Sequence, residues 1–249
     1  MEEGVSRISQ GQASYSNLVQ RFNAAPPGKL YCLHGKTSGV FRVSLYMASN
    51  ALLHGVPVAL VDGTNRFDAY YIAEFARKVA SRRLARVTPE QLLRHIYVAR
   101  AFTCYQMEAT ITERLPAFLK RSGAPVAIIF GLLDTFYDDQ APLFEVQAGV
   151  GRVMTALQQL KADNRAVLLA SLDMKPESRE RNQLFPRVAS TMDHVLEVTE
   201  ETSGYRLREM KGDSHGPHST DLYHGHPGRD GNVDQVPARS AQRRPGGAG

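Results

Sequence analysis

Leu30-Tyr31-Cys32-Leu33-His34-Gly35-Lys36-Thr37-Ser38-Gly39 decides how this 249-residue chain is read. The first five residues form a strand-like apolar run, and the glycines that follow mark a turn. From Val40 to about Leu53 the pattern is helical. Strand, glycine-rich turn and helix is the layout in which backbone N–H groups and a helix N-terminus cradle the phosphates of a nucleotide. The working motif requires Gly, four residues, Gly, Lys, and then Ser or Thr. A Gly-Lys-Thr is present at 35–37, but five residues before Gly35 stands Leu30, inside the strand. If Gly35 is taken as the first glycine, Gly39 is the second and the loop is one residue short. Val40 and Phe41 then occupy the lysine and hydroxyl positions. The layout is that of a nucleotide-binding domain, with its phosphate chemistry displaced.

The remaining apolar runs alternate in the same way. Val56–Asp62 reads as a second strand, followed by a helix from about Asp68 to Arg83. Ile96–Ala99 is a short strand and Tyr105–Arg121 a helix. Val126–Gly131 is almost wholly apolar, as a strand buried on both faces is. Phe144–Leu160 is helical, with Val146, Val150, Val153, Met154, Leu157 and Leu160 along one stripe. Ala166–Ser171 is another buried-type strand. Val195–Thr199 and Tyr205–Met210 alternate like a hairpin around a Glu-Glu-Thr-Ser-Gly turn. This order predicts an α/β fold: a mostly parallel central sheet with helices on both faces and an antiparallel hairpin at its C-terminal edge.

One core domain is expected over residues 1–212. From 213 to 249 the chain is rich in Gly, Pro and His and poor in apolar residues, which predicts a disordered tail. Four of the eight histidines lie there, at His215, His218, His224 and His226. No cysteine or paired carboxylate accompanies them, so they are read as compositional and not as a metal site. A net charge of +5 permits nucleic-acid binding without arguing for it. Cys32 and Cys104 sit in or beside strands, far from metal spacing, and read as buried free thiols of a reducing compartment. No secretory leader or membrane span is expected, so the chain is placed in the cytoplasm, or the nucleus if eukaryotic.

Taken together these residues resemble the ATPase core of the RecA/RadA recombinase superfamily, from roughly Ile8 to Lys211. Ile8-Ser9-Gln10-Gly11, Leu18-Val19 and Pro27-Gly28-Lys29-Leu30 follow that family's approach to its first core strand. Val61-Asp62 with Arg66-Phe67 resembles the second strand and the turn beyond it. The most specific match is His95-Ile96-Tyr97-Val98-Ala99-Arg100-Ala101-Phe102 with Gln106-Met107-Glu108 after it. The resemblance implies a RecA-like fold, ATP and Mg²⁺ as cofactors, and DNA or a RecA-like protein as partner. The nucleotide would lie against Gly35, Lys36, Thr37, Ser38 and Gly39.

The departures fall on catalysis. Where the family orients the attacking water with a glutamate, this chain has Thr64. Where it places an aspartate beside magnesium, Gly131 stands, with Asp134 three residues on. Asp173 replaces a polar sensing residue, usually glutamine. Phosphoryl transfer depends on positioned charge, so these changes point to a pseudo-ATPase. A competing reading keeps an active, DNA-dependent enzyme, with Lys36 and Thr37 on the phosphates and Asp62 or Asp134 on Mg²⁺. A third is a regulatory protein of the KaiC type with no DNA role.

Two family loops touch DNA. One corresponds to Thr135–Gln140, which is acidic. The other spans Met174–Arg187, where Lys175, Arg179, Arg181 and Arg187 supply charge and Phe185 a ring for stacking on single-stranded DNA. The denser cluster of Arg77, Lys78, Arg82, Arg83 and Arg86 is read as a solvated helix end. Phe22-Asn23-Ala24-Ala25 has the form of the family's subunit-docking peptide, but its place directly before the first strand reads as a helix end. The expected protein is a recombination or repair accessory, with a RecA-like partner or further copies of itself.

Overall fold

The computed structural model describes residues 28–82, 86–174, 176, 178–201 and 204–211, together with the strand at 219–224. Ile8–Gly11, Leu18-Val19, Phe22–Ala25 and Lys175 lie outside the described residues. The strands are β1 (Leu30–Gly35), β2 (Val58–Asp62), β3 (Ile96–Arg100), β4 (Val126–Phe130), β5 (Ala166–Leu172), β6 (His194–Glu201), β7 (Gly204–Lys211) and β8 (Ser219–His224). The helices are α1 (Gly39–Leu53), α2 (Ala69–Ser81), α3 (Pro89–Leu93), α4 (Cys104–Ala109), α5 (Leu115–Ser122), α6 (Leu132–Phe136), α7 (Leu143–Ala162) and α8 (Leu184–Thr191). A π-helical turn, Thr110–Arg114, joins α4 to α5, and a 3₁₀ turn, Arg181–Gln183, leads into α8.

All eight strands form one sheet in the order β3-β2-β4-β5-β1-β6-β7-β8. β1 through β6 pair in parallel, and β7 is antiparallel to both β6 and β8. This is the mostly parallel sheet with an antiparallel hairpin at its edge that the alternation of apolar runs predicts. β8 differs from the expectation of an unstructured tail, since it pairs with the open side of β7. An unpaired strand edge carries a row of free backbone groups, and a neighbouring extended segment satisfies them.

The connections explain the two helical layers. β1→β2 and β2→β3 travel toward one edge, whereas β3→β4, β4→β5 and β5→β6 travel the other way. Right-handed crossovers therefore place α1, α2 and α3 on one face and α4 through α8 on the other. Side chains alternate accordingly. Tyr31, Leu33, Val58, Leu60, Ile128 and Phe130 join one buried cluster, and Leu30, Cys32, Ala59, Val61, Ala127 and Ile129 join the second. β2 and β4 are buried along their whole length, as strands covered on both faces must be. Both cysteines are free and buried, and burial pushes the Cys32 thiol up to about 12.

Local signals set the helix ends. Asp68 accepts from the amides of Tyr70 and Tyr71, so α2 begins where an N-cap acid stands. Thr88 and Gln91 exchange hydrogen bonds as a capping box for α3. α4 is closed in the same manner: the Gln106 amide donates to the Thr103 hydroxyl, and the Gln106 side chain accepts from the amide of Phe102. The glutamine-bearing helix start noted in the sequence is thus a capping device. No helix among the described residues is long and apolar enough to cross a membrane.

Ile128 is fully buried on the central strand β4. Ile128→Ala is expected to cost about 2–5 kcal/mol. Thermal unfolding should then fall by about 2–4 °C per kcal/mol.

Candidate functional site

In parallel α/β sheets, ligands bind beyond the C-terminal strand ends, where neighbouring connections leave to opposite faces. β1 and β5 form such a pair, because β1 leads to α1 and β5 leads to α8. The amide of Asp173 donates to the Gly35 carbonyl at 2.8 Å, so the two strand ends remain joined to the rim of this crevice. The Gly35–Gly39 segment lies where a phosphate loop would.

Its glycines have a different use. A Cβ on Gly35 would lie 2.3 Å from the Val198 carbonyl oxygen of β6. A Cβ on Gly39 would lie 2.4 Å from the Tyr205 ring of β7. Tyr205 is buried at 3% exposure and hydrogen-bonds to Arg42 in the first turn of α1. The hairpin therefore packs directly on the two residues that would have to stay open for a phosphate. The loop also closes on itself: the Gly39 amide donates to the Thr37 hydroxyl at 3.3 Å, and the Val40 amide to the Thr37 carbonyl. Lys36 and Ser38 are exposed, and Lys36 makes no ion pair among the described residues.

The carboxylates proposed for magnesium are committed elsewhere. Asp62 is fully buried and accepts from the amides of Thr64, Arg66 and Phe67 at 2.9–3.1 Å. It organises the turn after β2, and little acceptor capacity faces outward. Asp134 lies in the first turn of α6 without capping it. Its carboxylate meets the Ser171 hydroxyl at 3.4 Å and the Leu172 amide, pinning this loop to the end of β5. Burial pushes the Asp134 carboxyl above its ordinary value. Gly131 has φ +66°, and a Cβ there would lie 2.0 Å from the Thr64 γ-methyl. Thr64 and Gly131 thus form a single packed contact, and an aspartate at 131 has no room while Thr64 stands beside it.

What does gather at the crevice is negative charge around an imidazole. His34 is half-buried, its ring 4.8 Å from that of Phe185. Burial lowers its pKa, Glu197 and Asp173 pull it up, and Arg208 pushes it down. Burial also pushes the Tyr137 phenol up to about 12, reinforced by Asp134 and Asp173. Of the three carboxylates in this neighbourhood, Glu197 is paired with Arg208, and Asp134 also faces Arg66. These residues do not fit a magnesium–triphosphate: the hairpin packs on Gly35 and Gly39, and the acids expected beside the metal are engaged in their own loops. Among the described residues no group of three or more His, Cys, Asp or Glu side chains is arranged to hold a metal ion.

Two of the expected DNA-contact residues, Arg181 and Phe185, are engaged internally, whereas Arg179 and Arg187 are exposed. Arg181 is 4% exposed and donates to the carbonyls of Phe136 and Ala141 while pairing with Asp139. Arg187 donates to the Gln147 carbonyl. Phe185 is partly buried against His34, so its ring is not open to a base. Arg179 is exposed. The family-like spacing led to these residues, but it carries no information on which of them the fold buries.

A different concavity is open. A groove of about 500 Å³ runs between β3 and the α4–α5 segment. Ala59, Val61 and Leu115 line its floor, Tyr97 and Phe118 an aromatic wall, and Glu113, Arg114 and Arg121 its rim. Tyr97 and Phe118 pack edge to face at 5.0 Å. Among the described residues β3 pairs only with β2, and Tyr97 and Val98 remain 41% and 38% exposed. Phe102 and Tyr105 continue the apolar surface at 54% and 52%. The π-helical turn supplies Thr110, Glu113 and Arg114 to this groove, and such turns occur disproportionately at functional sites. The strand itself was legible in the Ile96–Ala99 run, but its exposure along Tyr97–Arg100 and the facing helical wall were not.

No model of a known protein family matches this chain, and no curated protein matches it at a significant level.

Gly131→Ala is expected to destabilise by about 1–2 kcal/mol from its left-handed backbone alone, and further through collision with Thr64. Thr64→Ala should recover part of that loss in a double-mutant cycle measured by chemical denaturation. Asp134→Asn tests the buried carboxyl. A raised folded pKa means that stability falls as pH rises through it, because the unfolded chain ionises at a lower free-energy cost. The variant should therefore melt a few degrees above wild type at pH 7. The gap should close as pH falls toward 3.8, the ordinary aspartate value.

Proposed function

We propose that this chain is a RecA/RadA-like recombinase paralog that acts as a docking or regulatory protein in DNA recombination or repair and does not turn over nucleotide. The order and spacing of the family-like segments, from Leu30-Tyr31-Cys32-Leu33 through Val61-Asp62 to Ala99-Arg100-Ala101-Phe102, support the relationship. The observation that carries the functional reading is a contrast between the loop after the central strand β1 and the outer strand β3 of the same sheet. At the phosphate-loop position, Val198 and Tyr205 press on Gly35 and Gly39. At β3, the side away from β2 has no pairing strand among the described residues and lies beside an apolar groove.

That edge is suited to a partner segment in extended form. Backbone pairing along β3 supplies affinity, and an apolar side chain seated between Tyr97 and Phe118 supplies selectivity. The edge contains no lysine or proline to discourage pairing. A RecA-like ATPase is the partner the resemblance implies, with the active nucleotide site residing in that subunit.

The test combines the protein with the RecA-like recombinase encoded in the same genome. Hydrogen exchange at the amides of Tyr97–Arg100 is expected to slow in the mixture. Ala117→Trp, which fills the groove from an exposed position, should abolish that protection while leaving the fold intact. Steady phosphate release from ATP by the isolated protein, lost on Lys36→Ala, would overturn the reading.

A further inference from the structure

The face formed by α2 and α3 carries a concentration of positive charge that neither the crevice nor the groove uses. Along α2, Tyr70, Glu74, Arg77, Lys78 and Ser81 recur at three- and four-residue spacing and share one stripe. Tyr70 is 84% exposed, the most open aromatic side chain on the described surface. α3 is fastened to α2 through Leu92, which shares the buried cluster of Ile72, Ala76 and Val79. This brings Arg94, at the end of α3, to the same side as Arg77, with Glu90 near both.

Two carboxylates lie on this face. Glu74 is engaged by Lys78 at 3.0 Å. Glu90 has its carboxyl held below the ordinary range by its own amide and the Thr88 hydroxyl, and then by Arg77 and Arg94, which flank it. No carboxylate among the described residues lies within ion-pair distance of Arg77, Arg86 or Arg94. An ordinary solvated helix face alternates its charges and satisfies them in pairs. Here two exposed guanidiniums, Arg77 and Arg94, share the single acid Glu90, and an exposed ring stands on the same α2 stripe as Arg77.

We propose that the α2–α3 face binds single-stranded nucleic acid, with phosphates on Arg77 and Arg94 and a base stacked on Tyr70. The guanidinium fork matches a phosphate in geometry as well as charge. An open aromatic ring stacks on any base without regard to sequence. Tyr70 and Arg77 lie about 10 Å apart along the helix axis, a span that a strand of a few nucleotides bridges. An acidic peptide would satisfy the arginines, yet it has no use for the ring. The surface lies on the face opposite the β5–α8 connection, so it is distinct from the loop that the family resemblance nominated. It is also independent of the docking groove, and its test needs neither a partner nor a nucleotide.

Fluorescence anisotropy of a labelled thirty-residue oligo(dT) with the full chain, at 50 and 200 mM NaCl, decides the matter. Binding at the lower salt is expected to weaken about tenfold in Arg77→Gln/Arg94→Gln, with the slope of log K against log salt falling by about 1.4. Tyr70→Ala should weaken oligo(dT) binding about fivefold or more while leaving heparin binding unchanged. All three positions are exposed, and melting curves should match wild type. Absence of binding at 50 mM NaCl would overturn the proposal, as would unchanged affinity in the double variant. Loss confined to Arg179→Gln would place the strand on the β5–α8 loop and overturn it too. Heparin and oligo(dT) binding equally, with Tyr70→Ala silent, would reduce the surface to a general polyanion site and overturn the nucleic-acid assignment.

Discussion

The hairpin of β6 and β7 rests on the turn after β1 at two points, the Val198 carbonyl over Gly35 and the Tyr205 ring over Gly39. No other side chain than glycine allows either approach, because a Cβ would stand well inside van der Waals contact. This contact joins the antiparallel edge of the sheet to the N-terminus of α1, through Arg42 and the Tyr205 hydroxyl. The same two glycines serve two very different ends in α/β proteins, and here the neighbour that approaches them is protein.

The neighbouring turns follow a consistent logic. Thr64 and Gly131 pack against each other, Asp62 is spent on three amides of its own turn, and Asp134 ties α6 to β5. Each group that a phosphoryl-transfer site would hold free is used to fix a loop. The loops at the sheet's C-terminal end are closed by internal hydrogen bonds. The surfaces that remain open among the described residues are the outer side of β3 with its groove and the arginine-bearing face of α2 and α3.

Much of the fold was legible because the apolar runs are long and the turns between them polar. Val126–Phe130 and Ala166–Leu172 announce buried parallel strands, and Asp68 and Gly55 mark helix ends. α3 carried its own signature in Thr88-Pro89-Glu90-Gln91, a capping box over too few residues to stand out. α8 was obscured by the charges around it, although Leu184 and Val188 have helical spacing. β8 lies in a segment whose composition hides a short strand. The site was less legible for a physical reason. Whether Gly35 and Gly39 face a phosphate or a tyrosine depends on residues more than 160 positions away, and Arg181 reads as a free cation until the α6–α7 loop closes over it. Local sequence specifies the turn, but the contact that gives it meaning is non-local.

The measurement that bears most directly on this account is equilibrium binding of a fluorescent ATP analogue with Mg²⁺ to the wild-type protein and to Lys36→Ala. With the hairpin seated on the loop, neither protein should show saturable binding up to millimolar nucleotide. Saturable binding by the wild type that Lys36→Ala abolishes would contradict it, because it would mean that the loop opens and that its lysine holds phosphate.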